Sequence, residues 1–232
     1  MNSTQKFGED RAAEYVEQSK IALAGYEACH ELTACLLSAV VGEGSTAKIL
    51  VVGAGGPGLE VIFSGKLETH WSFLAVEPSV PMLEIARSSI DKAGYSDRTR
   101  FFNGYVGDLE ESMLFDAAVM FGVFHHIDGD GKKHDLLDSI ARHLKPKAPL
   151  FISGNRYRYS DKPVFLKAWG NRWRLHGLPE EIVASKLATI LKGAEPPGSD
   201  EEMERFLDES GFAECTKYFS SLFWSSWMTF LK

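Results

Sequence analysis

Three cysteines in 232 residues are too few for a disulfide framework, and Cys29, Cys35 and Cys215 have no paired metal-ligand spacing. They are expected to be buried, reduced thiols. No apolar run approaches the ~18 residues of a membrane-spanning helix. The start, Met1 to Asp10, is polar and lacks the basic-then-apolar layout of a signal peptide. These absences predict a cytoplasmic protein with no membrane partner. Basic residues are not in excess either: the formal charge of -7 disfavours a broad nucleic-acid-binding surface, though not a local patch. Histidines and acids do not gather at ligand spacing, so no metal is expected.

What is present is ordinary globular composition, 44% hydrophobic and 25% charged, enough for one large core and one domain spanning 1–232. Residues 1–46 form a helical preface: Ala12, Tyr15, Val16, Leu23, Tyr26, Leu32, Leu36 and Leu37 recur at helical intervals, with a break near Gly25. Residues 47–153 alternate strand and helix. Strands are expected at Lys48–Val52, Trp71–Val76, Arg100–Asn103, Ala117–Phe121 and Leu150–Ser153, with helices from Leu59, after Pro78 and over Gly131–Leu144. Such alternation predicts an α/β, Rossmann-like, doubly wound and mostly parallel sheet. Residues 154–198 break it with consecutive helices, Asp161–Trp173 and Glu180–Leu191, read as a cap. In 199–232, Ser199 and Glu202 form a capping box that opens a last helix. The aromatic-rich strands Phe212–Phe219 and Phe223–Leu231 then make an antiparallel hairpin, which brings the sheet to seven strands.

The loop Gly53-Ala54-Gly55-Gly56-Pro57-Gly58 follows a buried strand and precedes a helix, where glycines let backbone approach a ligand and present amide donors. Glu77 ends the next strand, nineteen residues past Gly58, placed to accept hydrogen bonds from both hydroxyls of a ribose. Together they point to a nucleoside-containing ligand. Gly53, Gly55 and Gly58 also satisfy the dinucleotide fingerprint, so an NAD-dependent oxidoreductase is a competing reading.

The stretch from Val76-Glu77-Pro78-Ser79 to Met82-Leu83 resembles the second motif of class I S-adenosylmethionine-dependent methyltransferases. Phe115 to Ile127 looks like that family's fourth strand and following loop, and Leu144-Lys145-Pro146 like the turn into its fifth. The resemblance implies S-adenosylmethionine as cofactor. Gly53, Ala54 and Gly55 would pass under its methionine portion, Glu77 would hold the ribose and Pro78 would flank the adenine. Tyr105 and Val106 would meet the adenine edge, and Phe121 and Gly122 the sulfonium. There are two departures: Val51 stands where many members have an acid, and the loop carries an extra glycine and a proline. The opening, Phe7 to Tyr26, and the aromatic hairpin are also similar to the carboxy-S-adenosylmethionine synthase branch of tRNA modification. However, Ser185-Lys186-Leu187 lacks the arginine expected there for an extra carboxylate.

His125, after the fourth strand, is the candidate base, against a structural role for the His125-His126 pair. Tyr15 and Tyr26 are candidates to close over cofactor and substrate, and His30 reads as structural. The local basic patch, with Arg156, Tyr157, Arg158 and Trp169, reads either as an anion-binding acceptor site or as a solvated basic face over a core-facing aromatic stripe. The expected activity is methylation of a small-molecule acceptor, anionic or aromatic. Rivals are the oxidoreductase, the synthase-like enzyme and a noncatalytic cofactor-binding module; a homodimer is compatible with any of them.

Overall fold

A computed structural model describes residues 17–232. A seven-stranded sheet has the order β3-β2-β1-β4-β5-β7-β6. Its strands are β1 (Lys48–Val52), β2 (Ser72–Val76), β3 (Thr99–Phe102), β4 (Ala117–Phe121), β5 (Pro149–Asn155), β6 (Phe212–Ser221) and β7 (Trp224–Leu231). The first five pair in parallel, and β7 is antiparallel to both β5 and β6.

All of β4 is buried, because helices cover both faces of the sheet. On one face Ile49, Val51, Val119 and Phe121 pack with Cys29 and Leu37 of α1 (Tyr26–Val41), Val61 of α2 (Leu59–Leu67), and Ala86 and Ile90 of α3 (Val80–Lys92). On the other, Leu50, Val52, Ala118 and Met120 meet Leu137 and Ile140 of α4 (Asp130–Arg142) and a last helix, Asp200–Glu209, through Met203 and Phe206. The two-residue side-chain alternation of strands assigns neighbours to opposite cores. Gly25, at φ 83, separates α1 from the helical residues 17–22, as the sequence predicts.

Beyond β5 stand the cap helices α5 (Pro163–Leu175) and α6 (Glu180–Gly193), followed by α7 (Asp200–Glu209). Their core is aromatic: Tyr159, Trp169, Trp173 and Phe223, with Val183. The Ser199 hydroxyl accepts the Glu202 amide at 3.1 Å, but Glu202 reaches back to the amide of Gly198 rather than to that of Ser199, so only half of the expected box forms. In β6 the pairing slips between Ala213 and Thr216, beside Glu214 at φ 56, a bulge that strand periodicity does not reveal. Cys29 is buried, whereas Cys35 is exposed, contrary to expectation, because it lies on the solvent side of α1.

Candidate functional site

The ends of β1, β2, β3 and β4 bring the glycine loop, Glu77, Tyr105 and Phe121 to one edge of the sheet. Gly53, at φ 68, and Ala54 donate their amides to the Val76 carbonyl at 2.9 and 3.0 Å, which ties the loop to the end of β2. A Cβ on Gly55 would lie 2.9 Å from that of Met82 and 3.1 Å from Glu77 Oε2, and one on Gly58 would lie 2.7 Å from Ile90. Glycine is therefore required for α3 to pack this closely.

Glu77 is buried, and its Oε1 accepts the Ser79 amide at 2.8 Å. Burial pushes its carboxyl up to about 7, while the amides of Ser79 and Gly55 oppose that rise. Asn103 Nδ2 donates to the carbonyls of Glu77 and Pro78 at 3.0 and 3.2 Å, holding the turn after β3 beside them. Tyr105, half exposed, and Val106, buried, follow on that turn. Phe121 is buried at the end of β4, and Gly122 takes φ 71 while donating to the Ser153 carbonyl at 2.8 Å.

His125 is buried, and its Nδ1 accepts the Asn155 amide at 3.2 Å, which places the neutral ring's proton on Nε2. In that tautomer the remaining ring nitrogen donates. Tyr26, at the start of α1, sets its ring edge-on to His30, 4.8 Å between centroids. Tyr15 lies outside the described residues.

The basic patch does not act as a unit. Arg156 is 5% exposed, paired with Asp200 and donating to Ser220 Oγ at 2.7 Å. Tyr157 covers it at 4.4 Å, and Lys162 lies over the same ring. Trp169 is buried and donates to the Ala22 carbonyl at 2.7 Å. Arg158 is exposed, and it lines a cavity of about 440 Å³ with Asp130, Lys133, Tyr159, Glu195 and Phe206. Glu195 donates its amide to the His125 carbonyl at 2.8 Å, so the cavity adjoins the loop after β4. Among the described residues no three His, Cys, Asp or Glu side chains gather to hold a metal.

Two further residues stand beside Phe121: His30, which the sequence reads as structural, and Glu60, which it does not single out. His30, 3% exposed, stacks on Phe121 with centroids 4.1 Å apart, and Glu60, in the first turn of α2, stands 3.4 Å from its Nδ1. The two are thirty residues apart in the chain, and neither lies in a motif.

The profile of the family described as a methyltransferase domain matches residues 50–150. Those residues carry β1 to β4, the glycine loop and Glu77. Over this stretch the chain is similar to that methyltransferase domain. Solved structures share the fold. A Methanococcus maripaludis protein described as a candidate S-adenosylmethionine-dependent methyltransferase is 21% identical with TM-score 0.63, the match covering 100% of this chain and 96% of that one. An O-methyltransferase family protein from Burkholderia thailandensis is 14% identical, with TM-score 0.59 and 94% and 63% covered. A riboflavin-analogue (N,N-8-amino-8-demethyl-D-riboflavin) dimethyltransferase from Streptomyces davawensis is 16% identical, with TM-score 0.60 and 89% and 54% covered. Against several structures of this fold the chain spans only 54% to 66% of their length. No curated protein matches it in sequence. None of the described helices is long and apolar enough to cross a membrane.

Proposed function

We propose that the protein transfers a methyl group from S-adenosylmethionine to an oxygen, nitrogen or carbon nucleophile of a small molecule. The observation that carries this reading is the packing of Glu77 against the glycine loop, with Oε2 at 3.1 Å from where a Gly55 side chain would begin. Any side chain there would fill the cradle, so the loop suits close backbone approach by a ligand, and the carboxylate beside it suits a ribose.

When bound, S-adenosylmethionine supplies an electrophilic methyl group on a sulfonium. Glu77 would accept the ribose hydroxyls, with Pro78 flanking the adenine and Tyr105 and Val106 at its edge. Backbone from Gly53 to Gly55 would run beneath the amino-acid chain, with Phe121 and Gly122 beside the sulfur. The buried ring of His30 and the half-buried ring of Trp224 stand next to Phe121 and would shield that edge from water. In-line approach and exclusion of water supply most of what methyl transfer asks of a protein, so no base is assigned. The cavity under the cap supports a small acceptor. Its volume is in the range of small-ligand pockets, and Lys133 and Arg158 share its walls with Asp130, Glu195 and Glu202, so polar groups of either sign can meet an acceptor there.

Calorimetric titration with S-adenosylmethionine, S-adenosylhomocysteine and NAD tests the reading. Binding of the first two is expected, and binding of NAD alone would replace it with the oxidoreductase reading. Cofactor binding without turnover across a broad acceptor panel would favour a noncatalytic module.

A further inference from the structure

Beside Phe121, His30 comes together with Glu60 and Tyr26, groups that attract a cation. Glu60 is an acid whose carboxyl burial pushes up to about 7. The ionisable group 3.4 Å from it is His30, which burial holds neutral, down at about 3, so among the described residues no cation is paired with the carboxylate. Both His30 ring nitrogens are buried without a hydrogen bond. A neutral imidazole always keeps one acceptor nitrogen, and here that acceptor lies in the same buried site as the acid. The ring faces of Phe121 and Tyr26 bound the site, the first stacked on His30 and the second edge-on. A carboxylate, an imidazole lone pair and aromatic rings suit a donor of positive charge and several N–H bonds. A primary ammonium has both. Val51 belongs to the same core as Phe121 and is buried and apolar, so β1 offers no acid of its own on this face.

Resting on the cofactor reading above, we infer that Glu60 receives the α-ammonium of the cofactor's amino-acid end, with His30 as a second acceptor that also positions the Glu60 carboxylate. The acid that β1 lacks is supplied from the first turn of α2, immediately after the glycine loop.

The test compares two nucleosides on the full chain by calorimetry. S-adenosylhomocysteine carries the amino-acid chain, and 5′-methylthioadenosine keeps the adenosine and thioether without it. Glu60→Gln is expected to weaken S-adenosylhomocysteine by at least about tenfold while leaving 5′-methylthioadenosine within about twofold, the loss typical of a charge-assisted hydrogen bond. Equal losses for both, or a loss for neither, overturn the inference. A measurement on the wild type covers the case of a variant that does not fold. An ammonium arriving at a carboxyl that titrates near neutrality expels its proton, so near pH 6 S-adenosylhomocysteine should release more protons to buffer than 5′-methylthioadenosine, whose ribose draws only on Glu77. Proton release that is the same for both, or absent for both, also refutes the assignment. A wild-type protein that binds neither nucleoside refutes the cofactor reading, and this inference falls with it.

Discussion

A methyl group placed on Gly53 would lie 2.1 Å from Cγ2 of Val123, so the loop after β4 rests directly on the first turn of the glycine loop. Gly53 also holds φ 68, a conformation that costs an L side chain roughly 1 kcal/mol before any clash is counted. Gly53→Ala should therefore cost more than about 3 kcal/mol, strain and overpacking together. Gly94, at φ 83 with nothing within 4 Å of its Cβ position, is the control: Gly94→Ala should cost only about 1 kcal/mol. Urea denaturation of both variants measures the difference, and equal losses would show that Val123 yields freely.

Glu77 separates binding from stability. Glu77→Ala leaves the Ser79 amide unpaired but removes a carboxyl held unfavourably in a buried site, so the net stability loss should stay near 1 kcal/mol. Two lost hydrogen bonds to ribose should weaken S-adenosylhomocysteine by roughly 100-fold or more. Unchanged affinity in calorimetry would remove Glu77 from the ribose site.

Arg156, Lys217 and Asp200 lock the cap to the hairpin: both cations reach the same carboxylate oxygen. Burial pushes the Asp200 carboxyl upward, but Lys217 and Arg156 outweigh it and hold it below the ordinary carboxylate range. A lowered carboxylate contributes stability above its unfolded pKa and loses it as pH falls through the folded one. Asp200→Ala should thus cost about 3 kcal/mol at pH 7 by stranding a buried guanidinium, with the gap to wild type narrowing below about pH 4. Thermal unfolding across that range checks both the size and the direction.

Glu60 and Glu77 act in the opposite sense. Burial raises both to about 7, so between their unfolded value of 4.5 and 7 the unfolded chain ionises while the folded one stays protonated. The unfolded state then binds fewer protons, and the unbound protein should lose stability as pH rises through that window. Glu60→Gln removes one of the two contributions, and its melting temperature should fall less between pH 5 and about 7 than that of the wild type. A wild-type melting temperature that rises because of these groups, or a variant with an unchanged slope, would contradict the burial of Glu60.

The strand and helix alternation from Lys48 to Ser153, the glycine loop, the acid at the end of β2, the Ser199 cap and the terminal hairpin could all be read along the chain. Each is a local pattern: a two-residue or 3.6-residue period, a turn residue, or a spacing between neighbouring elements. The basic aromatic stretch from Arg156 to Arg174 could be read only as two alternatives. Position along a chain does not say whether an arginine points at a ligand or at Asp200, or whether Trp169 faces an acceptor or the Ala22 carbonyl.

By itself, then, the sequence determined the class of fold and the position of the glycine loop and of the acid beside it, because backbone conformation and side-chain periodicity are local properties. Only the tertiary structure decided that β7 inserts between β5 and β6, that the Arg156 guanidinium is held by Asp200, and that His30 and Glu60 meet beside Phe121. These contacts join residues from separate elements. Burial sets their strength, and burial exists only once the whole sheet and both of its helical layers have closed.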